Sequence, residues 1–538
     1  MMDPTLWTGT ARTSDHPRLE EDLECDVCVV GAGIAGLTTA YRLATAGKKV
    51  VVLDGEGVGS GETHHTSAHL TSAFDDRIHR VAERFGAEQA KLVVESHSAA
   101  IDWIEETATR EQIACDFRRV PGYLFLAPEH DEDLLGREHQ AARNTGLEVS
   151  WIDPTPVPGM EVGPCLSFAR QAEFHPMRFL AGLAEAFQRL GGRIYGHSHV
   201  VDIHDGTPCG VETADGAMVA ADAVLLATNS PSNTMMITMK MVPYRTFLVA
   251  MRATGDIARG LYWDTGHPYH YVRLVDDQGG TLVLSGGGDY QTARKDEGAR
   301  VFAELEEWTR ARFPVAETEW RWSGQVLEPS DWLGFVGRLQ TEGNVYVCTG
   351  DSGQGLTHGT ICALLVGDLI QGKSHPWEEI YSPSRLTLGA AGAYVSDGVK
   401  IAINFLDWLL PGEVRSESRV PRGHGAVMRD GTKLIAVYRD PAGTVQRRSA
   451  VCTHAGCIVH WDSTARIWAC PCHGSRFHPD GEVINGPATA PLAELEGEEA
   501  AAGSAAAAKP GAPAGAPAAP PTLSKKPTRT RKSGARKP

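Results

Sequence analysis

An α/β unit followed by a small all-β unit is the fold class this sequence predicts, on three observations. Residues 25–54 read as strand, glycine turn, helix and strand (CDVCVV, GAGIAG, LTTAYRLATAG, KKVVVLD). There the apolar pattern switches from a short run to helical spacing and back. Residues 344–372 repeat strand, glycine-rich turn and helix. From Ala426 to Leu492 only short strand-like runs and turn formers remain, the pattern of a small β unit.

The other elements follow in order. Residues 1–24 are polar and read as an extended N-terminal arm. Residues 78–110 and 177–191 space their apolar residues by three and four, as helices do. Residues 193–228 and 244–290 alternate like strands, and 294–313 form an amphipathic helix. A helical stretch lies around Val399–Leu410. The turn formers and charges of PGEVRSESRVPRGHG, residues 411–425, predict a linker, so 386–425 reads as helix and linker. Residues 498–538 are mostly Ala, Pro, Gly and Lys and offer too little apolar surface to offset their ordering entropy. They are expected to be a disordered basic tail.

At about 150 residues per domain, 538 residues suggest three to four domains. Hydrophobic content of 42% and charged content of 22% set aside collagenous, coiled-coil and wholly disordered chains. No run approaches the ~18 apolar residues of a membrane helix. No basic segment followed by an apolar run opens the chain, so a cytoplasmic protein is expected. The net charge is −16, and removing the seven basic residues beyond Thr522 leaves −23 for residues 1–521. Nucleic acid is therefore not an expected partner. Eleven cysteines are an odd count and too sparse for a disulfide scaffold, but four fall between Cys452 and Cys472.

Gly31, Gly33 and Gly36 make G-x-G-x-x-G between strand and helix. The first allows a tight turn, the second lets backbone approach a pyrophosphate, and the third lets the helix pack on the strand. The helix amino terminus, at Ile34 and Ala35, would then face the phosphates. Asp54 ends the second strand, where an acid can bind ribose hydroxyls.

Three further segments carry a family resemblance. GVGSGETHHTSAHLT, residues 57–71, resembles the second FAD-contacting loop of the D-amino-acid-oxidase-like flavoenzymes. ADAVLLATNS resembles their third nucleotide-side signature. GNVYVCTGDSGQGLTHGT, residues 343–360, resembles the last strand–turn–helix, whose loop meets the flavin ring. The resemblance covers about residues 5–385. It implies a Rossmann-like FAD-binding domain in pieces, about 25–100, 165–240 and 320–385, interleaved with an antiparallel substrate domain, about 101–164 and 241–319. It assigns FAD contacts to Gly61, Thr63, His65, Thr66, Leu70 and Thr71 in the second loop. Val200 and Thr228 join them on the nucleotide side, and Gly350, Gly353, Gly355, Leu356 and Thr357 in the last loop. In some relatives a histidine at about the place of His65 is covalently joined to the flavin. His64, His65 and His69 also invite a metal reading, which is set aside because the loop already has a flavin role by resemblance. Cys25 and Cys28 point to opposite faces of one strand, so no disulfide is expected between them.

Residues 452–457 read CTHAGC and 470–475 read CPCHGS. C-x-H, then C-x-x-H, with an extra cysteine after each half, resembles the Rieske [2Fe–2S] family, in which two thiolates hold one iron and two imidazoles the other. Carried over by position, Cys452 and Cys470 are the thiolate ligands and His454 and His473 the imidazole ligands of a domain over 426–497. The resemblance also implies a disulfide between Cys457 and Cys472. INGPATAPL, residues 484–492, resembles the proline-bearing loop that covers such clusters. Ser475 keeps a hydroxyl that donates to the cluster in relatives, whereas Phe477 stands where high-potential relatives have tyrosine. A zinc site of similar spacing is the alternative. His460 and His478 read as surface histidines.

FAD and a [2Fe–2S] cluster on one chain resemble the bacterial FAD-dependent oxidoreductases with a carboxy-terminal Rieske domain, and the resemblance implies oxidation of a C–N bond of a small amine or amino-acid-like substrate. Electrons would pass through the cluster to an external acceptor. The candidate pocket residues are Tyr262, Trp263, Tyr269, Tyr271 and Arg273, with Arg245; either arginine could clamp an anion. Amino-acid oxidases of the family this chain resembles often carry a carboxylate-binding arginine just after the glycine of a W-S-G-type turn, where Val326 stands here, and sarcosine-oxidase-like members a lysine in the last loop, where Thr357 stands. Both departures weaken the case for a simple amino acid. The alternatives are an NAD(P)H-dependent flavin/Rieske reductase, for which GGGDY at 286–290 lacks a following helix, and a non-catalytic redox sensor.

Overall fold

Apolar runs without alternation become buried parallel strands, because a parallel strand is covered on both faces. In the computed structural model, Leu23–Val30 lies between Val50–Leu53 and Met218–Leu226, parallel to both, and every side chain of Val50–Leu53 is buried. The described residues are 4–495 except 129, 131, 154, 156–162, 232–234, 295 and 341–342. The tail expected over 498–538 lies outside them. The eight-stranded sheet runs Phe335–Arg338, Val345–Thr349, Met218–Leu226, Leu23–Val30, Val50–Leu53 and Arg193–Tyr195. The hairpin of Val200–His204 and Cys209–Thr213 extends it from Met218–Leu226. Helices Ile34–Thr45 and Gly355–Ile370 pack together in the larger core.

A nine-stranded, mostly antiparallel sheet carries the rest of the first part. Its order is Val315–Pro329, Met241–Ala253, Gly280–Gln291, His270–Asp277, Leu261–Asp264, Arg118–Phe125, Cys165–Glu173 and His69–Leu70. Val149–Ile152 also pairs with Cys165–Glu173. Cys165–Glu173 and Val315–Pro329 pair in this sheet, the first from the expected FAD-binding piece 165–240 and the second across the expected boundary at 319–320. Alternation marks a strand but not the sheet it joins.

The extended arm is also corrected. Thr5 caps the helix Leu6–Thr10 through its hydroxyl, and Trp7 is fully buried. Trp7 Nε1 donates to Thr66 O at 2.7 Å, and the Arg273 guanidinium lies 5.5 Å from its ring. Five helical residues are too few to show a period in the sequence.

The helix expected around 399–410 starts earlier, at Ala391, ends at Asn404 and continues as the 3-10 turn Phe405–Leu409. Its small residues hide the amphipathic period. Beyond it stand a three-stranded sheet (His424–Asp430, Lys433–Arg439, Val445–Ser449) and a four-stranded one (His460–Asp462, Ile467–Ala469, Arg476–Phe477, Val483–Asn485). Trp461, Trp468 and Phe477 share their core with the four cysteines. Residues 411–425, expected as a linker, are laced to this part. Glu413 N donates to Val427 O at 2.7 Å, Val427 N donates to the Glu413 carboxylate at 2.8 Å, and Glu417 pairs with Arg447. Turn formers and charges announced irregular backbone, not its partners. The chain through Leu495 forms one compact unit.

His460, expected as a surface histidine, bonds Asp407 at 3.1 Å and Glu413 at 2.8 Å. Burial would lower its pKa, but the two carboxylates outweigh burial and raise it to about 9. A raised folded-state pKa means stabilisation that is complete below about pH 6.5 and lost as pH rises through 9. His460→Gln is expected to cost about 1.5–3 kcal/mol at pH 6. The deficit against the parent should shrink steadily toward pH 10, as read by urea denaturation at each pH.

Candidate functional site

A cavity of about 1270 Å³ opens where the glycine turns of the eight-stranded sheet meet the large sheet. The first turn is built by backbone contact. Gly31 has φ +107°, and a Cβ on it would lie 2.5 Å from Ala227 O; a Cβ on Gly36 would lie 1.8 Å from Gly31 O. Neither position can carry a side chain. Ile34 N donates to Thr63 Oγ1 at 3.1 Å, so the second loop closes over the helix start. Asp54 accepts from Ala32 N, Glu56 N, Gly57 N and Ser60 Oγ, which fixes its carboxylate at the cavity edge.

The structure brings most of the expected flavin contacts to this one cavity. Gly31, Gly33, Ile34, Ala35 and Asp54 line it, as do Gly61, Thr63, His65, Thr66 and Thr71. So do Val200 and Thr228, and Gly350, Gly353, Gly355, Leu356 and Thr357. Gly36 and Leu70 do not: Gly36 packs on Gly31, and Leu70 is buried in the core, paired with Ala172. A helix amino terminus at a glycine cradle, opening on a space larger than the ~300–1,000 Å³ of ordinary ligand pockets, fits a dinucleotide with room for a substrate. His65 is buried with Nδ1 unpartnered and 3.7 Å from Glu62, and burial holds its pKa well below the usual histidine value. Among the described residues His64, His65 and His69 form no three-ligand metal group.

The pocket expectations divide. Trp263, Tyr269 and Tyr271 line the cavity, with Tyr269 OH 3.0 Å from Asp75 Oδ2 and Tyr271 OH 2.8 Å from Thr246 Oγ1. Tyr262, Arg273 and Arg245 do not line it. Tyr262 stacks on Tyr123 and donates to Ala258 O. Arg273 binds the carbonyls of Ala68 and Phe174. Arg245 is buried against Ser323 and pairs with Asp462 at 3.2 Å, in the carboxy-terminal part. Neither arginine reaches the cavity. The sequence reading missed Asp75, Asp76, Asp289 and Glu328, which do line the cavity. The paired acids at 75–76 and the glycine run before Asp289 were the available signals.

The carboxy-terminal part closes the same cavity. Arg476, Asn485, Gly486, Ala488 and Thr489 are in its wall. Arg476 pairs with Glu62 of the second flavin-type loop, and Gln325 Nε2 donates to Gly474 O at 3.1 Å. A Cβ on Gly486 would lie 2.6 Å from Ser230 O, so the two parts touch backbone to backbone. Burial would raise the Glu62 pKa, but Arg476, then His65, Gln325 N and Arg245, hold it down at about 2.

Behind that wall, Cys452 and Cys470 are each 2% exposed, and the His454 and His473 rings stand edge to face with centroids 5.0 Å apart. Cys457 and Cys472 form the disulfide, leaving Cys452 and Cys470 as free thiols. Both ring nitrogens of His473 are buried without a partner. The hydrogen bond with Cys470 leads in lowering the Cys452 pKa to about 7. Two buried thiols in contact, one poised to ionise, and two imidazoles in ring contact, one of them with both nitrogens orphaned, make a donor set that fits a two-iron cluster. Cys25 and Cys28 are free, as expected.

Comparison with known proteins agrees with this geometry. Residues 26–369 match the FAD dependent oxidoreductase family and residues 411–496 the Rieske [2Fe-2S] domain. YhfW of Bacillus subtilis, named as a Rieske 2Fe-2S iron-sulfur protein, is 30% identical over 498 residues, 91% of this chain and 97% of that one. Gamma-glutamylputrescine oxidoreductase of Escherichia coli is 29% identical over 378 residues, 67% of this chain and 87% of the relative. The glycine oxidase structure from Geobacillus kaustophilus superposes with a TM-score of 0.55 at 20% identity, covering 68% of this chain and 99% of that one, which shows the shared fold. The chain belongs to the FAD-dependent oxidoreductases and carries a carboxy-terminal Rieske [2Fe–2S] domain.

Proposed function

We propose that this enzyme oxidises a C–N bond of an amine and passes the electrons within the chain to its cluster and then to an external acceptor. The observation that carries the reading is the shared cavity, walled by flavin-type motifs on one side and by the 484–491 loop on the other. When bound, the flavin takes two electrons from the substrate and the cluster conducts them singly. The chain's residues do the rest. The Gly31–Gly36 turn and the helix start at Ile34 would hold the pyrophosphate, Asp54 the ribose, and the 350–357 loop the flavin ring. Cys452, Cys470, His454 and His473 would hold the cluster. Glu62 and Arg476 fix the two sites against each other, and the 484–491 loop forms the cavity wall on the cluster side. The gamma-glutamylputrescine relative supports an amine substrate. Anaerobic addition of amines to holoenzyme should bleach the flavin spectrum, whereas NADH or NADPH should not. Fast bleaching by micromolar NAD(P)H would replace this reading with the reductase.

Ser475 Oγ accepts from Ala488 N at 3.1 Å and bonds the Cys452 thiol, so it ties the covering loop to a proposed ligand. A hydroxyl donor favours the more negative, reduced cluster. Ser475→Ala is expected to lower the reduction potential by tens of millivolts, given about 1.5–3 kcal/mol per charge-assisted bond and ~59 mV per tenfold change for one electron. Phe477, fully buried beside the cysteines, should raise it when changed to tyrosine. Voltammetry of the full-length protein reads both.

A further inference from the structure

The substrate end of the cavity is acidic, and its positive groups are engaged or exposed. Among the described residues three arginines and no lysine line the cavity. Arg77 donates to the carbonyls of Asp75 and Asp264, Arg476 binds Glu62 and Asn485, and Arg80 is exposed. Four carboxylates line the space from three segments, besides Asp351 of the 350–355 loop. Asp75 and Asp76 precede the helix Ile78–Phe85 and border the 350–355 loop: Ser352 Oγ donates to Asp76 at 3.1 Å, and a Cβ on Gly353 would lie 3.2 Å from Asp75 Oδ2. Glu328 and Asp289 lie on the two strands that flank Met241–Ala253.

Asp289 is placed by a bulge. Arg245 pairs with Tyr290 and Phe247 with Gly287, so Gly288 and Asp289 together oppose the single residue Thr246. Bulges of this kind re-aim a side chain beside a site. Gln354, 8% exposed and in the same wall, has no partner for Oε1, an acceptor in want of a donor. Like charges enclosed together repel, so each acid either keeps a proton or meets a cation. Burial accordingly pushes Asp289 up to about 7 and Asp76 up to about 6, and raises Glu328 well above the usual value. No three of the four bring their oxygens within 4.8 Å of one another, which is too open for one metal ion and suits an extended cation.

Resting on the amine-oxidising reading, we propose that the substrate is an amine carrying a second positive charge. Asp75 and Asp76, beside the 350–355 loop, receive the reacting ammonium and accept the proton it gives up, so that it is the free amine whose C–N bond is oxidised to an imine with two electrons passing to the flavin, and Asp289 and Glu328 receive the distal ammonium. Tyr269 and Tyr271 give the connecting alkyl chain an aromatic wall.

The test is anaerobic flavin reduction of the holoenzyme by α,ω-diamines of four to eight carbons, n-butylamine and 4-aminobutanoate, with thermal melting of the oxidised enzyme in each as a separate binding readout. The best diamine is expected to show an apparent Kd at least tenfold below that of n-butylamine and to raise Tm most. Asp289→Asn and Glu328→Gln should each reduce that ratio at least fivefold. If either variant does not fold, the parent's ratio and melting shifts decide. Equal affinity for diamine and monoamine, or preference for 4-aminobutanoate, overturns the second charge while amine oxidation stands. No reduction by any amine overturns both.

Discussion

Arg476→Met is expected to destabilise the protein by about 3–5 kcal/mol, because it leaves the Glu62 carboxylate enclosed without its cation. Arg476 is 3% exposed on its side chain and Glu62 14%, so water screens the pair little. Glu62 also accepts from Gln325 N at 2.7 Å, and Gln325 in turn reaches Gly474. Loss of the arginine therefore loosens the whole contact between the second flavin-type loop and the cluster-bearing strands. Replacing both partners, Glu62→Leu with Arg476→Met, should recover more than half of the loss, since neither charge is then left alone. Linkage gives an acid dependence as well. The depressed Glu62 pKa means stabilisation that is complete above about pH 4.5 and lost as pH falls through about 2. Denaturation of the single and double variants checks the account. A single-variant cost below about 1 kcal/mol would mean that this pair does not hold the two parts together.

Gly33→Val is expected to empty the flavin site while sparing the cluster. The backbone at Gly33 has φ −79° and ψ −168°, which valine adopts readily, so the fold should survive. The added Cβ would already stand 3.1 Å from Thr63 Oγ1, and the valine methyl groups would reach into the mouth of the helix where the pyrophosphate belongs. The cluster residues have their own core and disulfide, remote from this turn in sequence. Flavin content below a tenth of the parent's, with iron per chain unchanged, is the expected analysis. Full flavin occupancy would place the phosphates elsewhere.

The sequence was most legible where chemistry depends on local spacing. The glycine turn, Asp54, the 350–357 loop and the two C-x-H and C-x-x-H halves are each read within twenty-odd residues, and the fold class followed from them. It was least legible where partners are distant. Arg245 read as an anion clamp because its charge is visible and Asp462, 217 positions on, is not. Arg273 read the same way for the same reason, its carbonyl partners being those of Ala68 and Phe174. The four acids of the substrate end come from segments near 75, 289 and 328 that only the tertiary fold brings together. Residues 411–425 looked like a linker because composition reports turns, whereas Glu413 and Glu417 find partners across the β sheet.

Electron passage from flavin to cluster inside one chain is the central claim, and rapid-mix freeze-quench EPR of the anaerobic holoenzyme tests it most directly. Mixed with a single reducing amine and no second protein, the enzyme should show the reduced-cluster signal rising on the time course on which the flavin absorbance falls, and in Arg476→Met the cluster signal should lag behind the flavin. A flavin that is fully reduced by the amine while the cluster stays oxidised through many turnover times would contradict the account.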